Sequence, residues 1–168
     1  MPVRARGGYN IRMRSKRILA ALIATAALTA APVAQQRRAA DPVVEVFKTS
    51  TCGCCSKWID HLRSAGFSVS FIDMPQAELD KLKAKRGVPA VVHSCHTALL
   101  SRYVLEGHIP ASEVKRLLRE QPNVVGIAVP GMPPGSPGME VAERDLPTYN
   151  VLSFDKQGRT RVFSTQKP

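Results

Sequence analysis

Between positions 43 and 120 the apolar residues follow two different periodicities. Short apolar or alternating runs, such as V-V-E-V-F (43–47), predict strands, because side chains on one face of a strand repeat every two residues. Longer segments with apolar residues at i, i+4 and i+7, such as Cys55, Ile59 and Leu62, predict amphipathic helices. The predicted elements are, in chain order, strand 43–47, helix 54–65, strand 67–72, helix 76–86, strands 97–100 and 103–106, and helix 111–120.

The order β-α-β-α-β-β-α is that of the thioredoxin fold, so the sequence predicts an α/β, thioredoxin-like domain. The third strand has two possible registers, V-P-A-V-V-H (88–93) or T-A-L-L (97–100). We adopt the second, because it gives Y-V-L-E a partner in a hairpin. Beyond Gln121 the chain adds a loop with four prolines and four glycines (126–140), and then a predicted C-terminal β-hairpin around D-K-Q-G.

The formal net charge of +11 is concentrated at the N-terminus. The first 34 residues hold six of the 24 basic residues and none of the 13 acidic ones, so the rest of the chain carries only +5. Aromatic residues make up 5% of the sequence, too few for a surface on which bases stack. The sequence therefore predicts no nucleic-acid partner.

The same N-terminal segment has the three parts of a secretory signal peptide. Its basic residues end at Arg17, 14 uncharged residues follow, and a stretch of small residues comes next. The apolar run is too short for a membrane span. We predict a signal peptide at residues 1–34, a flexible leader at 35–42 and a single domain at 43–168, exported to the periplasm with no membrane span in the mature form.

Residues 52–55 read C-G-C-C at the predicted start of the first helix. Unpaired N–H groups at a helix N-terminus favour thiolate over thiol. Cys54 would scramble a disulfide between Cys52 and Cys55 by thiol exchange. Three thiolates close together instead suit a soft metal ion such as Cu(I), and each sulfur has lone pairs to bridge several ions. The pattern thus favours a copper site over a dedicated dithiol site.

Other uses of the same cysteines also fit the pattern. Zinc is the competing metal, although structural zinc sites are usually built from two separated pairs of ligands. Cys52 and Cys55 have the C-x-x-C spacing of a thiol–disulfide oxidoreductase, whose turnover would survive the loss of Cys54 and Cys95. Four cysteines in an oxidising compartment can also form two structural disulfides.

Cys95 lies in H-S-C-H-T, directly before T-A-L-L, where we expect it to pack against the C-G-C-C turn. The neighbouring His96 can supply an imidazole to copper or be an ordinary histidine of a surface loop. The remaining candidates are expected to serve the fold: His61, His93 and His108 as structural or turn residues, Met132 and Met139 by packing onto the core, and Trp58 by shielding one side of the site.

Four motifs together resemble the CopG-like family. C-G-C-C with K-W-I-D-H-L, then S-C-H-T-A, E-G-H-I-P-A and G-M-P-P-G-S-P-G-M-E carry the resemblance, over about residues 43 to 164. This family consists of exported, thioredoxin-like proteins associated with bacterial copper resistance, formerly a domain of unknown function. The resemblance implies periplasmic copper binding and interconversion of Cu(I) and Cu(II). The sequence itself has no motif that identifies the delivery partner, and two kinds of partner stay open, another periplasmic copper carrier or an efflux system. The implied copper ligands are Cys52, Cys54, Cys55 and Cys95, with His96 adjoining.

Overall fold

The computed structural model describes residues 42–142 and 145–168, so the predicted signal peptide and nearly all of the leader lie outside the described residues. The strands are β1 Val44–Lys48, β2 Val69–Asp73, β3 Thr97–Leu100, β4 Tyr103–Glu106, β5 Gly126–Ala128, β6 Tyr149–Phe154 and β7 Thr160–Gln166. The helices are α1 Gly53–Ser64, α2 Gln76–Lys85 and α3 Ala111–Glu120, with a 3-10 turn at Ala90–Val92. Within the described ranges, none of these helices has the length and apolar character needed to cross a membrane.

The seven strands form one mixed sheet in the order β2-β1-β3-β4-β5-β6-β7. β1 pairs with β2 and β4 with β5 in parallel, and the other neighbours are antiparallel. The predicted order of elements up to residue 120 is observed, and T-A-L-L is the third strand. The rejected register, 88–93, contains the 3-10 turn instead, with Pro89 at its N-cap, and β1 pairs with the strand at 97–100.

The first residues of the predicted Pro/Gly loop form a strand, which corrects the sequence prediction. β5 is buried throughout and lies between β4 and β6. The C-terminal hairpin is present, but it extends the main sheet through β5 instead of standing apart as an appendage. Three residues are too few to show a strand periodicity, so pairing with both neighbours decides this conformation.

Side chains from both faces of the sheet are buried. On one face, Leu105 and Ile127 belong to a cluster with Trp58 of α1 and Leu117 of α3. On the other face, Val104 and Ala128 pack with residues that follow α2 and with Phe154, a set that includes Val88 and Val92. Because β1 and β3 are antiparallel with Phe47 opposite Thr97, the start of α1 and the loop before β3 lie at the same end of β1.

Candidate metal centre

The C-G-C-C turn begins α1. Cys52 occupies the N-cap position, its side chain makes no capping hydrogen bond, and the first turn contains no acidic residue. The unpaired N–H groups at this helix end therefore favour negative charge on nearby sulfur. Cys55 is fully buried, while Cys54 is partly exposed on the same turn.

Sulfur atoms from two separate parts of the chain meet at this turn. Cys54 Sγ lies 3.6 Å from Cys52 Sγ, and Cys95 Sγ lies 3.4 Å from Cys55 Sγ. All four sulfurs lie within 4.8 Å of one another. Two sulfurs bound at about 2.3 Å to one tetrahedral ion are themselves about 3.8 Å apart, so the Cys52–Cys54 and Cys55–Cys95 separations are close to those of sulfur ligands that share an ion.

Cys52 and Cys55 are joined by a disulfide, and Cys54 and Cys95 are free thiols. In this oxidised form, two of the four sulfurs cannot act as thiolate ligands. Addition of two electrons and two protons to the disulfide yields the form with four thiols. Because each free thiol lies close to one sulfur of the disulfide, both are also in position for thiol–disulfide exchange.

A buried network holds the loop that carries Cys95. The carboxylate of Glu106 accepts hydrogen bonds from the Ser94 N–H (2.6 Å) and the Thr97 hydroxyl (2.7 Å), on either side of Cys95. The Lys83 ammonium pairs with the same carboxylate and donates to Thr97 Oγ1 at 3.0 Å. Burial, with the nearby Cys54 sulfur contributing, raises the pKa of Cys95 to about 12, so a metal must displace a proton from this thiol.

His108 lies in the bend between β4 and α3, as predicted for a turn residue, and Pro110 occupies the N-cap of α3. His108 is fully buried and its Nε2 lies 2.9 Å from Cys95 Sγ. Burial lowers its pKa, and burial likewise lowers the pKa of His96 well below its usual range, so burial favours the neutral form of both rings. Sequence reasoning missed the contact of His108 with Cys95, which depends on how the chain returns after β4.

Met132 also differs from its predicted role, because its side chain is 47% exposed and does not pack into the core. Its Sδ lies 3.8 Å from Cys54 Sγ. The backbone beside it is tied to the Cys95 loop: Gly131 N–H donates to the His93 carbonyl at 3.2 Å, and the Ser94 hydroxyl donates to the Gly131 carbonyl. The Pro/Gly loop thus brings a soft thioether to the exposed side of the cysteine group.

The other predicted candidates lie around this group in contacts that serve the fold. His61 Nε2 accepts the Ala111 N–H at 3.0 Å, and His93 Nε2 lies 3.2 Å from the Val88 carbonyl. Trp58 is fully buried, donates to the Ile109 carbonyl at 2.8 Å, and its ring centroid lies 4.3 Å from that of His96. Met139 is partly buried within the Pro/Gly loop.

Comparison with known proteins identifies a family. Residues 92–139 match the family described as a protein of unknown function, DUF411. Two solved structures titled copper resistance protein CopG, form 1 and form 2, are 37% and 38% identical to this chain, with TM-scores of 0.70 and 0.68. Each alignment covers 76% of this chain and 100% or 99% of the solved chain, respectively. No curated protein sequence matches. With this identity over the full length of the solved structures, the chain belongs to the DUF411 family, the family of the copper resistance protein CopG.

Proposed function

We propose that this protein binds copper as part of copper resistance, holding Cu(I) through Cys52, Cys54, Cys55 and Cys95 with His96 adjoining. The observation that carries the proposal is the convergence of four cysteine sulfurs within 4.8 Å, from a helix start and from a separate loop. Thiolate is the ligand that soft Cu(I) prefers, and closely spaced thiolates can bridge more than one ion. The names of the two solved relatives support copper as the metal.

The same group can also account for interconversion of Cu(I) and Cu(II). Two Cu(II) ions accept one electron each when the Cys52 and Cys55 thiolates join, which gives two Cu(I) ions and the Cys52–Cys55 disulfide. The disulfide in the structure has the pairing that this step produces. In this interpretation the domain is thioredoxin-like, with its redox-active turn between the first strand and the first helix, and the segment after Gln121 supplies the thioether of Met132.

We further propose that the protein acts in the periplasm. The support is the basic, apolar and small-residue pattern of residues 1–34, which is typical of a cleaved signal peptide. The expected partner is another periplasmic copper carrier or an efflux system. Mass spectrometry of the protein recovered from the periplasmic fraction would test this, because export predicts loss of the N-terminal segment, and an uncleaved cytoplasmic chain would contradict it.

An anaerobic Cu(I) titration of the reduced protein against a competing chelator tests copper binding. We expect more than one Cu(I) per chain, and Cys95→Ser should lower both the stoichiometry and the affinity, since it removes the one thiolate that the separate loop supplies. Ser56→Ala, a neighbouring change that leaves all four sulfurs in place, should behave as wild type. Binding no tighter than that of an unfolded peptide with four thiols would contradict the proposal.

A thiol–disulfide oxidoreductase is the second candidate, favoured by the Cys52–Cys55 disulfide at the start of α1. It predicts turnover of a disulfide substrate that is retained in Cys54→Ser and Cys95→Ser. The two free thiols beside the disulfide argue against it, because each can attack the disulfide and divert the exchange. If Cys52→Ser abolishes turnover of a disulfide substrate while Cys54→Ser and Cys95→Ser retain it, this candidate is favoured over copper binding.

A further inference from the structure

One edge of the sheet is open and apolar. Among the described residues, β2 is the outermost strand on its side of the sheet, and β1 is its one strand neighbour. Phe71 is 48% exposed and Ile72 is 44% exposed, on opposite faces of the strand. Such edges are usually protected by a lysine, a proline or a bulge. β2 contains none of these, and the carboxylate of Asp73 already pairs with Lys48 at 2.7 Å. The edge is therefore available to another strand.

The hydrogen bonds to β1 determine which backbone groups of β2 are free. Met74, directly after the strand, donates its N–H to the Lys48 carbonyl at 2.9 Å. Successive residues of a strand direct their N–H and C=O groups alternately to one side and the other, so the even-numbered residues of β2 face β1. Val69, Phe71 and Asp73 therefore point their backbone groups away from β1. The N–H and C=O of Phe71 have no hydrogen-bond partner within the described part of the chain.

The two ends of this edge carry complementary charges. At one end, the exposed side chain of Arg63 in α1 donates to the Val69 carbonyl at 3.2 Å. At the other end, the side chain of Asp73 is exposed. When a second β2 pairs antiparallel, with Phe71 opposite its own counterpart, Val69 of each strand lies opposite Asp73 of the other. Each Arg63 then lies near Asp73 of the second copy, whereas the two Asp73 side chains stay at opposite ends of the interface.

We propose that two copies of this chain associate through their β2 edges, antiparallel and about a two-fold axis at Phe71, so that the two sheets become one. Of the registers that a two-fold axis allows, this one pairs Val69–Asp73 along its whole length. Pairing of one edge with itself closes after two copies, whereas pairing of β2 with β7, the other edge, is head-to-tail and continues into a ring or a filament. The two Phe71 rings become cross-strand neighbours, which is a favourable aromatic pair. The inference goes beyond the proposed function and does not rest on copper binding.

Sedimentation velocity of the isolated protein, from micromolar to millimolar concentration, tests the association. A reductant is present, so that no disulfide joins two chains. The interface is one short strand from each copy, so we expect a weak dimer that forms reversibly as the concentration rises. Phe71→Lys should raise the dissociation constant at least about tenfold, because it replaces the aromatic pair with two like charges. Val162→Lys is the matched control, since it places a lysine at an exposed position on the other edge strand and should leave the dimer unchanged.

Amide hydrogen exchange of the wild-type protein tests the same interface even if Phe71→Lys does not fold. The N–H groups of Phe71 and Asp73 should exchange more slowly as the concentration rises. Those of Ser70 and Ile72 already face β1 and should not change. A monomer at every concentration, or equal weakening of the dimer by Phe71→Lys and Val162→Lys, would overturn the proposal. Slow exchange of the Phe71 N–H at every concentration would also overturn it, because a segment of the same chain would then cover the edge.

Discussion

Individual residues around the cysteine group divide into those that serve the fold and those whose positions the fold does not explain. Trp58 and His61 make hydrogen bonds that join α1 to the segment before and at the start of α3. Met132 is exposed, and its thioether lies beside Cys54 Sγ. An exposed methionine adds little to stability, so its place beside a thiol is better explained by metal binding.

Replacement of Met132 by leucine should separate a role in metal binding from a role in the stability of the fold. We expect Met132→Leu to weaken Cu(I) binding by the reduced protein about tenfold, the lower end of the contribution of supporting groups at metal sites. The free energy of unfolding of the metal-free protein should change by no more than about 0.5 kcal/mol. Chelator competition and urea denaturation measure the two quantities. Met139→Leu in the same loop is the control, and equal Cu(I) affinity in both variants would contradict the role of Met132.

Gly138 lets the Pro/Gly loop approach the start of α1. Its φ is +89°, and a Cβ there would lie 2.6 Å from the Cys54 carbonyl oxygen and 3.0 Å from the backbone nitrogen of Trp58. Gly138→Ala should therefore cost more than Gly131→Ala, since Gly131 (φ +64°) has open space at the same point. Left-handed backbone alone costs about 1–2 kcal/mol, and the clash should add to it only at Gly138. Urea denaturation gives both values, and equal costs would show that the loop does not rest on α1.

At the scale of elements, α2, β3 and β4 together fix the loop that carries Cys95. Thr97 of β3 and Glu106 of β4 are directly paired in the sheet, and Lys83 reaches the same point from α2. The carboxylate also holds the Ser94 N–H, so the residues flanking Cys95 and His96 share one buried acceptor. A change in this acceptor should therefore affect both the stability of the fold and the position of Cys95.

Glu106→Gln should destabilise the protein by about 3–5 kcal/mol, because it leaves the Lys83 ammonium buried without its counter-charge. The double variant Lys83→Met, Glu106→Leu removes both charges and should recover part of this loss. In the non-reduced protein, where only Cys54 and Cys95 are free, Glu106→Gln should also speed alkylation of Cys95 relative to Cys54. Urea denaturation and peptide mass spectrometry measure these effects. A loss below about 1 kcal/mol would show that the pair is not held as a buried ion pair.

Sequence periodicity predicted the elements whose side chains carry a long enough pattern. The predicted bounds of α3 agree with the observed helix, Ala111–Glu120, because its apolar residues mark one face over several turns. β5 was missed, because Gly126–Ala128 is too short for any period and is a strand only through its pairing with β4 and β6. The periodicity of apolar residues in the sequence is thus sufficient to predict a helix as long as α3. A short strand such as β5 can be recognised only from the strands with which it pairs.

The same distinction applies to the candidate site. Cys52, Cys54, Cys55 and Cys95 were predictable, since three lie in one turn and the strand register places the fourth nearby. The contacts of His108 with Cys95 and of Met132 with Cys54 span 13 and 78 positions in the sequence. Neither contact follows from spacing, because both depend on how the segments after β4 and β5 return to the start of α1.

At the scale of the whole molecule, the centre combines three separate segments of the chain. The start of α1 supplies three cysteines, the loop before β3 supplies Cys95 and His96, and the Pro/Gly loop after β5 supplies Met132. No single segment could bring four cysteine sulfurs and a thioether together at one site. The central claim is therefore that copper binds where these segments meet, in a mainly sulfur environment.

X-ray absorption spectroscopy of the reduced protein loaded anaerobically with Cu(I) tests this claim most directly. We predict a first shell dominated by sulfur and a copper–copper scattering path, both diminished in Cys95→Ser and unaffected in Ser56→Ala. A first shell of nitrogen and oxygen in the wild type, or a spectrum that the loss of Cys95 does not change, would contradict the account.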